Sequence, residues 1–285
     1  MARAIKKTIS RVAIALLTAG GLTSLYRMRV RNLAPLLRVI EFHDLQDAGR
    51  FSHILTFVKT HYHVVTPGEC FSRKLDASRI NVLVTFDDGY ASWINVALPV
   101  LSALDIKALF FVNSGLLDVH GDEAARDRYI KDRLLIAPRE TLSWNDLRAL
   151  SCSGHTVGGH TTSHSRLSTL PDHELRAELE NDKKRIEKML ETEITAFAYP
   201  FGQHTIRSER FLRDAGYTHA FSNEARFAML DNPLRLPRLP VDEAISITVL
   251  QYTIEGGCDT YEMMKALLGI KRMRIASNVA TVRPL

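Results

Sequence analysis

Only three cysteines occur in the 285 residues, Cys70, Cys152 and Cys258, an odd number and far apart. That excludes a disulfide framework and a cysteine-rich zinc site, and leaves buried thiols as the default. Long apolar runs are also missing. The uncharged run from Val12 to Leu25 is shorter than the roughly 20 apolar residues that a spanning helix needs. No basic stripe interleaved with aromatics is present, so nucleic acid is not read as a partner. Internal repeats and low-complexity segments are absent. What is there is the hydrophobic and charged content of an ordinary soluble protein, long enough for one barrel-sized domain or two smaller ones. The net charge is +5, and the basic residues gather before residue 40 and again in Lys271-Arg272-Met273-Arg274. Basic ends point to an anionic surface.

Arg3, Lys6, Lys7 and Arg11 precede the apolar run Val12–Leu17, which is followed by Thr18-Ala19-Gly20-Gly21. That order resembles a signal peptide. Arg27, Arg29 and Arg31 follow closely, however, so the flanking charges give no orientation. Ile5, Ile9, Val12, Leu16 and Leu17 recur at helical spacing. They are read as an amphipathic helix lying on a membrane surface; the same spacing fits a helix packed on the domain. The expectation is peripheral contact at the cytoplasmic face of the inner membrane, with export after cleavage near Ala19–Gly21 as the alternative. The chain then divides into a basic amphipathic segment 1–35, a single catalytic domain 36–255 and a helical, basic tail 256–285.

From residue 36 the pattern is regular. Strand-like runs stand at 37–42, 63–65, 81–86, 107–112, 155–157, 194–199, 218–222 and 236–241. Helical stripes lie between them, at 51–60, 91–104, 171–190 and 208–215, with Pro99 expected to kink or shorten the second. Ser143 is placed to cap a short helix through Leu150. The charge-rich stretch Asp118–Arg139 reads as an insertion or surface loop with some helix. Strands alternating with helices predict a parallel β/α fold. Polar residues close several strands: His43, Asp87, Asp88 and His160. A β/α barrel puts its active site at those ends.

One run organises the rest. Val82-Leu83-Val84 leads into Thr85-Phe86-Asp87-Asp88-Gly89-Tyr90, a strand ending in two carboxylates and a glycine turn. Alone, Asp-Asp-Gly is an ordinary turn. It gains weight from Gly158-Gly159-His160-Thr161-Thr162-Ser163-His164. On a helical turn His160 and His164 would share one face. Two imidazoles and one carboxylate make a three-ligand site for a divalent metal with a position left open for water. The metal acidifies that water and polarises a carbonyl, and a second carboxylate accepts its proton.

These runs resemble the motifs of the polysaccharide deacetylase family, the NodB-homology domain of carbohydrate esterase family 4. Thr85–Tyr90 is similar to its first motif, His160–His164 to its second, and Phe197-Ala198-Tyr199-Pro200-Phe201-Gly202 to its third. The resemblance implies an α/β fold, a distorted (β/α) barrel, and hydrolysis of N-acetyl or O-acetyl groups on sugars. It implies Asp87 as general base, Asp88, His160 and His164 as ligands of one divalent metal, and the Phe201 backbone N–H at the oxyanion. Zinc is the implied metal, with cobalt or nickel as alternatives. Phe201 stands where the third motif usually has tyrosine. Ala198 stands where many members carry an arginine that pairs with the base; Arg238, from a later strand, is a candidate to replace it, with an ordinary surface arginine as the alternative. The late Leu-x-x-His strand is missing, since no histidine follows residue 219. Val39-Ile40-Glu41-Phe42-His43-Asp44 supplies it at the start of the domain, in the permuted order of the poly-N-acetylglucosamine deacetylases.

The expected activity is therefore metal-dependent removal of N-acetyl groups from an oligo- or polysaccharide. Two rivals stay open. One is a deformylase or deacetylase of a lipid-linked sugar; the other is a non-catalytic glycan-binding protein on the same fold. His43 is the expected acid toward the departing amine, facing the metal from the side opposite Asp87. His204 is its competitor, and a core histidine bonded to a carbonyl is the alternative for His43 itself.

Overall fold

The computed structural model describes residues 21–269 except Ala225. The helical spacing read over Ile5 to Leu17 and the basic run Lys271–Arg274 lie outside those residues. Among the described residues eight strands run parallel: β1 (Leu37–Phe42), β2 (His63–Val64), β3 (Asn81–Asp88), β4 (Leu109–Val112), β5 (Thr156–Gly159), β6 (Ala196–Ala198), β7 (His219–Asn223) and β8 (Leu236–Pro240). Seven of them close into a ring, because β1 pairs with both β3 and β8. β2 stays outside it, on the first residues of β3, and β4 takes the same edge from Thr85 onward. The seam between β5 and β6 is a single pair, Gly159 with Phe197. This is the distorted β/α barrel expected from the sequence.

Period-two alternation sorts the strand residues into two cores. Leu37, Val39, Leu83, Leu109, Phe111, Phe221 and Leu236 fill the barrel. Ile40, Phe42, Val84, Phe86, Phe110 and Val112 face the surrounding helices. Strands covered on both faces need near-continuous apolar runs, and β1 and β3 are buried at every position. Polar residues in such runs are therefore expensive to place, and on β3 the inward-facing Thr85 and Asp87 lie toward the C-terminal end.

Local chemistry explains several helix boundaries. Ser143 and Asp146 form a reciprocal cap on the helix Trp144–Cys152. The stripe at 91–104 divides into a π-turn, Trp93–Ala97, and an α-helix, Leu98–Ala103, with Pro99 at the start of the latter. Proline has no N–H to continue the ladder, so the turn before it widens.

Asp118–Arg139 carries the helix expected within it, Glu123–Tyr129, and adds the turn Ile130–Leu134, with Ile130 and Leu134 buried. One expectation is corrected: His160 and His164 do not lie on a helical turn. They are held in an irregular loop with Thr161 at φ 68° and His164 at φ 52°.

The terminal helices sit at the other end of the barrel. Tyr26 Oη of the helix Leu22–Arg31 donates to Asp259 Oδ1 of the helix Gly257–Leu267 at 3.2 Å. Asp259 pairs at 2.9 Å with Arg38, near the start of β1. Among the described residues no helix is long and apolar enough to cross a membrane.

Candidate active site

The C-terminal ends of β1, β3, β5 and β7 and the loop after β6 converge on a pocket lined by Glu41, His43, Asp87, Asp88, His160, His164, Phe201 and Asn223, with Leu134 and Gly202 completing it. All six site residues expected from the sequence are in that lining. Consecutive strand residues ordinarily point to opposite faces. Asp88 takes φ 87°, outside strand geometry, and so joins Asp87 at the same pocket.

Asp88, His160 and His164 offer one ligand atom each within 4.8 Å of one another. Asp88 Oδ1 lies 3.6 Å from Nε2 of both histidines. His160 Nδ1 donates to Ala198 O at 2.7 Å and His164 Nδ1 to Arg133 O at 3.2 Å. Those bonds fix the tautomer that leaves each Nε2 as a lone pair toward Asp88. Burial, the largest influence, pushes both imidazoles down to about 4, so they are neutral near pH 7. Asp88 Oδ1 is buried without a hydrogen-bond partner. An orphaned carboxylate oxygen facing two imidazole lone pairs fits a divalent cation and little else.

Asp87 is built differently. Burial, the largest single influence, raises its proton affinity, but the Arg238 guanidinium together with His160 and His43 outweighs that and holds it well below the usual carboxylate range. Arg238 Nη1 and Nη2 each donate to one Asp87 oxygen at 2.6 Å, a bidentate fork. Arg238 thus stands in the place left open by Ala198. Its Nη2 also lies 3.2 Å from Glu41 Oε2.

One of the His43 ring nitrogens groups with Glu41 and Asp87 within 4.8 Å, so Asp87 and His43 are close neighbours in the pocket. The His43 Nε2 is 3.4 Å from Glu41 Oε1. Burial pulls its pKa down, and Glu41, Asp88 and Asp87 more than offset that, so the net direction is up. His204 does not line the pocket; its Nε2 is 3.7 Å from Glu224. His155, just before the start of β5, accepts from Ala108 N–H at 3.1 Å. Phe201 takes φ 60° and packs its ring 4.5 Å from that of His164, with the Arg166 guanidinium 3.7 Å over its ring.

Two site features escaped the sequence reading. Glu41 lies within the Val39–Asp44 run; its signal is a carboxylate sharing the inward face of an apolar strand with Val39 and His43. Asp182 sits on the buried stripe of the helix Asp172–Leu190, between Leu179 and Ile186; a charge on that stripe was the signal. Its two oxygens accept from Ser114 N–H at 2.9 Å and His160 N–H at 3.0 Å. One turn earlier Glu178 accepts from Ser163 N–H at 2.9 Å and from Ser163 Oγ. Gly159 lets this helix approach, because a Cβ there would come 2.8 Å from Asp182 Oδ2. Left-handed Thr161 and His164 are costly, on the order of 1–3 kcal/mol each, and these bonds hold them. Asp182→Ala should weaken metal affinity on the order of 10–100-fold. Calorimetric titration checks this; unchanged affinity with a lowered Tm would make Asp182 a fold residue only.

The polysaccharide deacetylase family model matches residues 74–220, just over half of the chain. The chain belongs to that family. Its members are hydrolases that use a divalent metal, consistent with the Asp/His cluster. YxkH of Bacillus subtilis (strain 168), which carries a polysaccharide deacetylase name, is 24% identical over 199 residues, covering 68% of this chain and 64% of its own length. A Geobacillus stearothermophilus protein is 26% identical over 152 residues, covering 51% of this chain and 47% of its own length. The chain therefore spans less than two thirds of each of these curated relatives. In fold it is similar to the Streptococcus pyogenes deacetylase PplD in complex with acetate (TM-score 0.64, 20% identity, 78% of this chain and 97% of that one). It is likewise similar to IcaB from Ammonifex degensii (TM-score 0.61, 22% identity, 79% and 98%). The family match excludes β1 and β8, so geometry alone ties Glu41, His43 and Arg238 to the site.

Proposed function

We propose that this polysaccharide deacetylase homologue hydrolyses the acetamido group of an N-acetylated oligo- or polysaccharide. The observation that carries this is the Asp88, His160 and His164 cluster with its orphaned carboxylate oxygen, set beside an arginine-clamped Asp87 in one pocket. Asp88, His160 and His164 would hold the cation. When bound, a divalent metal, zinc by resemblance, supplies an acidified water and polarises the acetyl carbonyl.

The remaining work falls to the chain. Asp87, kept ionised by Arg238, accepts the proton of the attacking water. The Phe201 backbone N–H is assigned to the developing oxyanion. His43, kept prone to protonation by Glu41, delivers a proton to the departing nitrogen so that the C–N bond breaks. For the N-terminal segment we propose peripheral contact with an anionic membrane surface at the cytoplasmic face, supported by its basic composition.

The test is acetate and formate release from a panel of N-acetyl- and N-formylglucosamine oligomers, with metal content measured on the same protein. Acetate release with about one metal per chain is expected. Formate release alone would move the substrate to an N-formyl sugar, and release of neither would overturn the enzyme reading. In the same assay His43→Ala should keep its metal, lose amide hydrolysis, and retain more activity on an activated aryl ester, whose leaving group needs little protonation. Equal loss on both substrates would take the acid role away from His43.

A further inference from the structure

We infer that the end of the barrel opposite the active site is a docking face for an anionic lipid bilayer, and that docking turns the catalytic mouth away from the membrane. Nine large apolar side chains are exposed among the described residues, and seven of them belong to the two terminal helices or lie just beyond their ends. On the first helix Leu25 and Met28 are 61% and 62% exposed, and Leu33 after it 73%. On the second, Leu267 is 74% exposed, followed by Leu268 at 68%. A globular chain scatters such residues; their concentration on one structural unit marks a surface that contacts something apolar.

Charge selects the occupant. The helix Leu22–Arg31 has three arginines and no acidic residue. Arg27 is satisfied by Glu255 at 2.7 Å, whereas Arg29 and Arg31 are exposed and make no ion pair among the described residues. Arg27, Arg31 and Arg79 line a groove between this helix and the start of β3. An apolar ridge beside unpaired guanidiniums suits acyl chains below phosphate headgroups. A second copy meeting the same face about a twofold axis would set these arginines against their own images. The sequence on both sides, with Arg3, Lys6, Lys7 and Arg11 before and Lys271, Arg272 and Arg274 after, adds charge of the same sign.

The orientation follows from the barrel. Arg38, near the start of β1, pairs with Asp259 of the second docking helix, and Arg79, just before β3, lines the groove beside the first, while Asp87 and Asp88 end β3. Eight residues of strand put the site roughly 20 Å from the docking face. Joined to the deacetylase reading, this assigns a glycan in the aqueous phase as substrate. The amide of a lipid-linked sugar stays near the headgroups, on the wrong side of the molecule.

The experiment is co-sedimentation of the full chain with vesicles of phosphatidylcholine containing about one third phosphatidylglycerol, against pure phosphatidylcholine. Binding to the anionic vesicles alone is expected, with at least a tenfold loss in Leu25→Glu/Met28→Glu and in Arg29→Glu/Arg31→Glu. Deacetylation of soluble oligomers should be unchanged in both variants. Met28→Trp should be quenched by nitroxide-labelled lipid and Leu135→Trp, beside the mouth, should not. Undiminished binding by both variants, quenching at Leu135→Trp, or lipid-free dimerisation that the variants abolish would overturn the inference. Binding is read without turnover, so its failure is distinct from failure of the deacetylase reading.

Discussion

His160→Ala is expected to release the metal and abolish turnover together. In the proposed site the imidazole would contribute one of three ligand atoms, and its other nitrogen bonds Ala198 O at 2.7 Å. That bond crosses the β5–β6 seam, where the ladder has a single pair, so the variant should also lose on the order of 1–3 kcal/mol of stability. His164→Ala lacks the seam effect and should lose metal with a smaller fall in Tm. The pH dependence of the metal-free protein adds a second check. In the folded state His160 and His164 are held down to about 4, against roughly 6.5 in the unfolded chain. Depressed histidines favour the fold above the unfolded value, and that contribution fades as pH falls from about 6.5 toward about 4. The double alanine variant should show a shallower acid transition, though not a flat one, since His155 is also held at about 4. Stoichiometric metal in the double variant would remove these residues from the site.

Asp87→Asn is expected to keep the metal and lose about 10²–10⁴-fold in turnover, the usual size of a missing general base. An amide cannot take the water proton, yet it fills the same volume. Arg238 complicates the variant, because it is fully buried and loses half of its counter-charge. Glu41, at 3.2 Å, remains to satisfy it, so the fold should persist with a lowered Tm. Measuring metal content, Tm and kcat on one preparation separates the three effects. Turnover within a few-fold of the parent would mean that Asp87 only shapes the loop. Arg238→Gln probes the clamp from the other side. It leaves two carboxylates facing each other without a cation, and breaking a buried pair in this way costs about 3–5 kcal/mol.

The amino-acid sequence by itself determined the alternation of buried strands and amphipathic helices, because both are written in local periodicity. It also determined the carboxylate pair, since an apolar strand delivers residues 87 and 88 to one end wherever that strand packs. Capping was equally local, as Ser143 and Asp146 show. The His-x-x-x-His spacing singled out two rings that the fold does bring together, though not on the helical turn expected. The two rings meet across left-handed Thr161 and His164, a conformation that spacing does not encode and that Glu178 and Asp182 stabilise from another helix.

Tertiary structure alone decided the rest. Arg238 was one arginine among many until barrel closure put β1 between β8 and β3, with Val39 opposite Arg238 and Phe42 opposite Phe86. That register sets the guanidinium against a carboxylate 151 residues away. The same closure made Glu41 the partner of both Arg238 and His43 and placed His43 beside Asp87. Contacts of this kind depend on which strands pair and in what register, and that is settled by packing summed over the whole barrel rather than by any one stretch of the chain.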